Sequence, residues 1–431
     1  MSSSPTPTSL IKLLKWIWRN LAMLSLGLLC LLLLFLPIIA NDIPLWVHTK
    51  EHSFSPLLSP TYADQLVEEK EDKTFFTLGS YDWSAFQDGS YIWPIVPYSH
   101  TSNTERIPAA YPPLHPNPTF SKLADPPLLS RHWLGSSLGV DLLASILYGS
   151  RNSLIIVLGA GFLSLVLASL IGGLAVYFKN KPFHSSLWDF GWIILGLLGV
   201  YFWTFYSRQH LPSSLQETAS KLLITCLIIG IWWIGKKVFK RIPFSFFQPS
   251  IRISLDFLIL KLIEVLNTFP ALMLIISLSI FFGNDVWDMV LILSLLGWTG
   301  LARIIRTEAF KLSTSGFIRT AEGLGISPIS IFFRHYLPNM VSPLILPMSS
   351  SLKVLLLVES SLSYLNIGLA SNQPSLGRLI ATGTTNLSDW WTILFPGLTL
   401  CFLILTLHII GEKIRDWVDP FMVPEAENRL I

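Results

Sequence analysis

Long apolar runs are the feature that most constrains the fold of this chain. A helix of about 20 mostly apolar residues is long enough to cross the hydrocarbon core of a bilayer. A backbone in lipid must satisfy its own hydrogen bonds, so such runs are expected to be helices. We predict eight spans, at about residues 21–40, 153–178, 187–206, 219–236, 257–283, 286–303, 342–366 and 391–411. The chain is therefore predicted to be an all-α integral membrane protein with about eight transmembrane helices.

The composition supports a membrane protein and argues against several other classes. Charged residues make up 13% of the chain, whereas soluble domains carry about 25%. The net charge of +3 is too small to indicate a nucleic-acid partner. Cys30, Cys226 and Cys401 lie inside apolar runs without the spacing of metal ligands, so we interpret them as small hydrophobic residues.

The first apolar run, residues 21–40, has two interpretations. It follows Lys12, Lys15 and Arg19, as a signal anchor or a cleaved signal peptide would. The run is long for a signal peptide, and residues 37–40 make a poor cleavage site. We therefore predict an uncleaved signal anchor.

The basic residues predict the orientation of the spans. Clusters follow the second, fourth, sixth and eighth spans: Lys179 and Lys181; Lys236, Lys237, Lys240 and Arg241; Arg303, Arg306, Lys311, Arg319 and Arg334; and Lys413 and Arg415. With eight spans, all of them lie on the same side as the basic N-terminus. By the positive-inside rule, both termini are then cytoplasmic and residues 41–150 lie outside.

Residues 315–339, between the sixth and seventh spans, are predicted to form two short helices joined by a turn. Gly323 and Gly325 would end the first helix, where a residue with positive φ is favoured. Ser327 is a good N-cap, and Pro328 suits the first position of the second helix. Pro338 is expected to end that helix. We call residues 315–339 the hook.

The second helix of the hook carries an apolar stripe at Ile329, Phe332, Phe333 and Tyr336. An apolar stripe outside the membrane needs a partner. That partner is either another protein or the rest of the same cytoplasmic face, and the pattern does not separate the two alternatives.

The hook resembles the coupling loop of permeases from ATP-binding-cassette (ABC) importers, whose pattern is Glu-Ala-Ala, three residues, Gly, nine residues and Ile-x-Leu-Pro. The matching residues are Ala321, Gly325, Leu337, Pro338 and Asn339. Arg319 and Thr320 stand where the family has Glu and Ala, and Glu322 is a candidate displaced acid. The resemblance implies that these residues, together with Phe332, contact an ATPase subunit.

Other segments resemble the C-type subunit of the dipeptide, oligopeptide and nickel branch of these permeases. Trp133–Asp141 is similar to the branch's Gly-Thr-Asp-x-x-Gly-Arg-Asp signature, although it is one residue shorter and has Val140 for the Arg. Glu359–Gly368, Pro374–Gly377 and Gly411–Pro420 continue the resemblance. It covers about 130–180 and 252–420, in the expected order.

The resemblance implies a six-span permease core with an inserted two-span hairpin. The implied organisation is a cytoplasmic N-terminus and first span at 1–40, an extracytoplasmic segment at 41–150, the second span at 151–183, the inserted hairpin at 184–250, the permease core at 251–420 with a coupling loop at 304–340, and a cytoplasmic tail at 421–431.

A transport subunit in the cytoplasmic (inner) membrane of a bacterium is the implied function. It would move peptides or peptide-like solutes with a second permease, two ABC ATPase subunits and an extracytoplasmic solute-binding protein. ATP and magnesium would bind the partners, and no cofactor is expected on this chain. Gly230–Lys237 mimics a phosphate-binding loop, but Lys237 replaces the Ser or Thr that would hold magnesium.

Two ionisable residues lie within the seventh span. Lys353 and Glu359 are costly in a membrane and are candidates for lining the solute pathway, or for packing against a polar partner. Six residues apart on a helix, they do not face each other. Neither this pair nor the scattered His residues form a recognisable catalytic constellation, so no enzyme is predicted.

A secondary transporter or channel that works without an ATPase is the alternative function. It would need no helical hook outside the membrane. A membrane-bound enzyme or scaffold is a further alternative, for which convergent polar groups would be expected.

Overall fold

The computed structural model describes residues 27, 34–48, 53–55, 90–100, 110–116, 131–137, 139–177, 183–185, 196, 251–253, 255–370 and 372–418. The chain forms two compact units, one of residues Met1–Gly172 with Asn267–Ile431 and the other of residues Gly173–Leu266. Most of the described residues are helical.

From residue 142 onward, the described helices in chain order are α1 (Leu142–Tyr177), α2 (Leu255–Thr268), α3 (Ala271–Phe282), α4 (Val286–Ser313), α5 (Gly316–Gly323), α6 (Pro328–Ile331), α7 (Leu337–Tyr364), α8 (Leu376–Thr385) and α9 (Trp391–Val418). A π-helical segment, Phe332–Tyr336, joins α6 to α7.

Four continuous helical stretches of the described chain are long and apolar enough to cross a membrane: Leu142–Gly173, Val286–Ser313, Pro328–Tyr364 and Trp391–Val418. The bent pair Asp256–Thr268 and Ala271–Ser279 makes a fifth if it is one span. The prediction of a helical integral membrane protein is thus confirmed. The predicted spans 187–206 and 219–236, and most of 21–40, lie outside the described residues, so the count of eight stays a prediction.

Helix α1 begins earlier than the apolar pattern predicts. It starts at Leu142, although the span was predicted from about residue 153. Asp141 caps this end, because its Oδ1 accepts a hydrogen bond from the backbone N–H of Ala144 at 2.8 Å. Ser145 and Ser150 donate to carbonyls one turn back. Hydropathy marks where a helix becomes apolar, so it missed this polar first part.

The span predicted at about 257–283 is broken at Pro270 into two helices. Helix α2 ends at Thr268 and α3 begins at Ala271. Proline lacks an N–H and clashes with the preceding turn, so a helix cannot run through it undisturbed. The carbonyl of Pro270 instead accepts the first hydrogen bonds of α3, from Met273 and Leu274.

Between a helical stretch at residues 34–39 and the start of α1, the described parts of the chain form short antiparallel strands. Strands β1 (Trp46–His48), β2 (Ser53–Phe54) and β3 (Ser90–Ile92) form one sheet in the order β2-β1-β3. Strands β4 (His115–Pro116) and β5 (Arg131–His132) form one pair, and β6 (Ser136–Ser137) and β7 (Val140–Asp141) form another. In the second unit, β8 (Phe183–Ser185) pairs with β9 (Ile251–Ile253).

The segment before α1 is anchored on the helices by side chains from α1 and α9. The hydroxyl of Tyr148 in α1 donates to the carbonyl of Ala40 at 2.8 Å. The indole N–H of Trp391 in α9 donates to the carbonyl of Ser136 at 3.2 Å. This segment therefore packs against one end of the helices, at the start of α1 and of α9.

The hydrophobic core lies among α1, α4, α7 and α9. Its largest buried side chains include Leu154 and Ile156 in α1, Met289 and Ile292 in α4, and Leu356 in α7. Helix α8 packs on α7 and α9. These contacts hold the long helices as one body, from which the hook extends.

Candidate functional site

The turn of the hook is a Schellman motif that requires Gly325. The backbone N–H of Gly325 donates to the carbonyl of Glu322 at 3.0 Å, and that of Ile326 donates to the carbonyl of Ala321 at 3.2 Å. This pattern needs a residue in the left-handed region after the helix, and Gly325 has φ +73°. The predicted stop at Gly325 is confirmed. Gly323, predicted to share this role, is the last residue of α5.

The second helix of the hook starts as predicted. Ser327 is the N-cap of α6, and its side chain accepts a hydrogen bond from the N–H of Ser330 at 3.4 Å. Pro328 occupies the first position, where the N–H that proline lacks would have no partner within the helix.

The prediction that Pro338 ends this helix is wrong. The chain runs as one helix from Pro328 to Tyr364, so the hook continues directly into a spanning helix. The π-helical segment explains why, because the N–H of Leu337 bonds to the carbonyl of Phe332, five residues back. Pro338 then stands in the first turn of α7, where a missing N–H costs little.

The hook has a buried side and an exposed apolar side. Ile318, Ala321, Ile331 and Tyr336 are buried. Five apolar side chains are exposed, namely Phe317 by 47%, Leu324 by 75%, Ile326 by 38%, Ile329 by 73% and Phe333 by 56%. We call these five the exposed hook surface.

The predicted apolar stripe is divided between the two sides of the hook. Ile329 and Phe333 are exposed, Phe332 is half-buried and Tyr336 is buried. The π-helical turn shifts the helical phase, so a regular 3.6-residue pattern does not describe the segment. Sequence reasoning missed Phe317, Leu324 and Ile326. For Leu324 and Ile326, the signal was an apolar side chain next to a predicted glycine stop in a segment outside the membrane.

The sequence-predicted coupling residues mostly lie on the accessible part of the hook. Arg319, Thr320, Glu322, Gly325, Pro338 and Asn339 are exposed, Phe332 and Leu337 are half-buried, and Ala321 is buried. The amide of Asn339 donates to the carbonyl of His335 at 2.6 Å, which links the π-helical segment to the start of α7. Because Ala321 is buried, its role is limited to the packing of α5. The exposed polar residues of the hook remain available to a partner.

Glu359 is wholly buried at the junction of three helices. Its carboxylate accepts hydrogen bonds from the hydroxyls of Ser153 in α1 at 2.8 Å, Ser363 at 3.1 Å and Ser360 at 3.3 Å. Arg378 in α8 interacts with it electrostatically and donates to the carbonyls of Leu369, Ala370 and Gln373. A buried carboxylate is tolerated when its oxygens are hydrogen-bonded in this way. Glu359 had two interpretations, lining of the solute pathway and packing against a polar partner. Its buried environment favours the second.

Lys353 has a different environment. Its Nζ lies 3.3 Å from Nδ1 of His408 in α9, and its side chain is only partly buried. Lys353 and Glu359 have separate partners, as their spacing on the helix predicts. Of the two candidate pathway residues, Lys353 is the one with access to the surface of the chain.

The hook is joined directly to a spanning helix. The hook offers an exposed apolar surface on a short helix and a turn, and its second helix is continuous with α7. Within the described ranges no three His, Cys, Asp or Glu side chains lie close enough together to hold a metal ion. A push on the hook would therefore act directly on a spanning helix.

The fold and the hook define a helical membrane protein with an accessible helical connection at one face. Residues 242–424 match the sequence model of the family described as the binding-protein-dependent transport system inner membrane component. This part of the chain, which includes the hook and α7 to α9, is therefore similar to that family, and the predicted resemblance to its permeases is confirmed.

Named relatives agree with the family. The chain is similar to the oligopeptide transport system permease protein OppC of Salmonella typhimurium, with 31% identity over 167 residues, or 38% of this chain and 55% of the relative. It is 30% identical to OppC of Haemophilus influenzae over 166 residues, 38% of this chain and 53% of the relative. The inner membrane ABC transporter permease protein YejE of Escherichia coli is 38% identical over 164 residues, 37% of this chain and 47% of the relative. The chain thus spans about half the length of these relatives.

Proposed function

We propose that this chain is a transmembrane permease subunit of an ABC importer that moves peptides or peptide-like solutes across the cytoplasmic membrane. The observation that carries the proposal is the hook within a domain of the permease family. Two of the relatives are named for oligopeptide transport, which supports peptides as the solute class.

The exposed hook surface is the proposed docking site for the ATPase. Its apolar side chains would enter a cleft on the partner, and Arg319, Thr320 and Glu322 would surround them with polar contacts. Clusters of this kind, an apolar centre with a polar rim, are typical of protein interfaces. Movement of the ATPase would then reach the membrane through α7, because the helix from Pro328 to Tyr364 is unbroken.

Four further subunits complete the proposed transporter. A second permease would cover part of the remaining surface of the spanning helices, two ATPase subunits would bind ATP and magnesium, and a solute-binding protein would deliver the solute outside. We propose an inner-membrane location with both termini cytoplasmic. The proposed organisation keeps the hairpin at 184–250 as an insertion in a six-span core and residues 41–150 outside the membrane.

Co-purification tests the proposed function. The tagged chain, extracted from its native membrane in mild detergent, is expected to retain ATPase subunits and to hydrolyse ATP. The chain purified alone is expected neither to bind nor to hydrolyse ATP, because Gly230–Lys237 lacks the hydroxyl that would hold magnesium. ATP-independent uptake by the chain alone would instead support the secondary transporter or channel.

Cysteine labelling tests the proposed topology. After replacement of the three native cysteines, single cysteines at Lys70, His210 and Ser388 are expected to react with an impermeant thiol reagent added outside. A cysteine at Thr314, before the hook, is expected to react only after the membrane is permeabilised. Protection at position 210 with labelling at 70 and 388 would contradict a spanning hairpin at 184–250.

A further inference from the structure

A polar group of three side chains lies where α7 contacts α9. Lys353 Nζ is 3.3 Å from Nδ1 of His408, and Nε2 of His408 is 3.6 Å from Oε1 of Glu412. The ammonium can only donate, so Nδ1 of His408 accepts and Nε2 carries the hydrogen that faces Glu412. The three side chains thus form an ordered row from cation to anion, which we call the polar row.

A close approach of the two helices holds the polar row in place. A Cβ on Gly411 would lie 2.1 Å from Oγ of Ser349, so glycine is required for the helices to come this near. The hydroxyl of Ser349 donates to the carbonyl of Leu407 at 3.0 Å. Lys353 follows Ser349 by one turn, and His408 comes directly after Leu407, so the two side chains meet beside this contact.

Lys353 offers more hydrogen-bonding capacity than the described residues use. An ammonium has three hydrogens, and within the described ranges the hydrogen bond of Lys353 goes to a ring nitrogen of His408. The ion pairs among the same residues do not include Lys353. An unneutralised cation in a spanning helix is costly and marks a solute pathway in many membrane proteins.

The polar row is accessible. The residues that precede it on the same side of α9 are apolar. The side chains of His408 and Glu412 are 45% and 33% exposed. Toward the start of α9, the exposed side chains include Leu394, Leu398 and Leu405. A surface that faced only lipid would stay apolar along its length, so the polar row indicates a part of the surface that meets water and solute.

We propose that the polar row is a subsite on the solute pathway that takes the carboxylate of a peptide, with Nζ of Lys353 as the anion-binding atom. This inference rests on the proposed function. Every unmodified peptide carries a terminal carboxylate whatever its side chains, so one cation serves peptides of any sequence. His408 positions the ammonium, and Glu412 orients His408. A single partly exposed ion pair is weak, which lets the solute leave again.

Paired peptide substrates test this subsite. The complete transporter, with its co-purified subunits and binding protein, is reconstituted in vesicles. The probes are a mixture of di- to pentapeptides without acidic side chains and the same peptides as C-terminal amides, with uptake measured by mass spectrometry. Lys353→Met is expected to lower uptake of the free acids about fivefold, the equivalent of roughly 1 kcal/mol, and to leave uptake of the amides unchanged. Lys353→Arg retains the preference for free acids.

The ratio of acid to amide uptake separates this inference from its alternatives. A preference of the binding protein for acids or amides is the same for each permease variant. It therefore cancels when the acid-to-amide ratios of two variants are compared. Leu357→Met, a neutral exposed position on the same helix, is the matched control and is expected to leave both uptakes unchanged. An equal loss of acids and amides would show a role in assembly or lipid contact and would overturn the subsite, as would no loss at all. Absence of ATP-dependent peptide uptake by the unaltered transporter would contradict the proposed function itself.

Discussion

Gly325→Val is expected to release the ATPase subunits from the permease and to lower solute uptake at least about tenfold, while the permease stays in the membrane at nearly normal amount. Space is not the reason, because nothing lies within 4 Å of a Cβ at this position. The reason is the backbone, since Gly325 has φ +73°. Left-handed conformations cost an L-residue about 1–2 kcal/mol, and β-branched side chains are true outliers there.

The effect should be large because the turn orients the exposed hook surface. Leu324 and Ile326 flank Gly325 and are 75% and 38% exposed. A change in the turn would displace both from the cleft that they are proposed to fill, and a few central side chains carry most of an interface's binding energy. The measurement is quantitative immunoblotting of permease and ATPase in membranes, alongside uptake.

Two substitutions serve as controls for Gly325→Val. Gly325→Asn is expected to be mild, because asparagine adopts the left-handed conformation at helix ends. Gly323→Ala, two residues earlier in α5, also has nothing within 4 Å of the added Cβ and is expected to be neutral. If Gly325→Val retains both ATPase and uptake, the assignment of the hook as the coupling site is wrong.

Gly377→Ala is expected to destabilise the helical core by about 3 kcal/mol or more. An added Cβ in α8 would lie 1.9 Å from the carbonyl oxygen of Ser360 and 2.9 Å from the backbone nitrogen of Tyr364. These are backbone atoms of α7, so a side-chain rotation cannot relieve the clash and the helices must separate. Overpacked cores lose about 1–3 kcal/mol, and a backbone clash belongs at the upper end of that range.

The melting temperature of the purified permease measures this effect. Gly397→Ala is the matched control, because it is also a helical glycine but has nothing within 4 Å of the added Cβ. The control is expected to melt like the unaltered protein, and Gly377→Ala several degrees lower. Equal melting temperatures for the two variants would show that α8 does not pack on α7 as closely as the structure has it.

Several features of the hook and the spans could be predicted because they depend on local chemistry. The N-cap at Ser327, the turn at Gly325 and the break at Pro270 each follow from what one residue's backbone or side chain allows. The start of α1 and the continuity of the helix through Pro338 could not be predicted in this way. Both depend on hydrogen bonds that are invisible to hydropathy and to proline rules, namely the Asp141 cap and the π-helical turn.

The sequence by itself determines that this chain is a helical membrane protein. The length of the apolar runs specifies helices, and the pattern of the hook indicates the permease family, because both are properties of neighbouring residues. The environments of individual polar side chains, in contrast, depend on long-range packing. Glu359 and Lys353 occupy the same helix and looked alike in the pattern, yet one is buried among the hydroxyls of α1 and α7 and the other reaches His408 at the surface. Such a difference arises from contacts between residues more than 50 positions apart, which no local pattern contains.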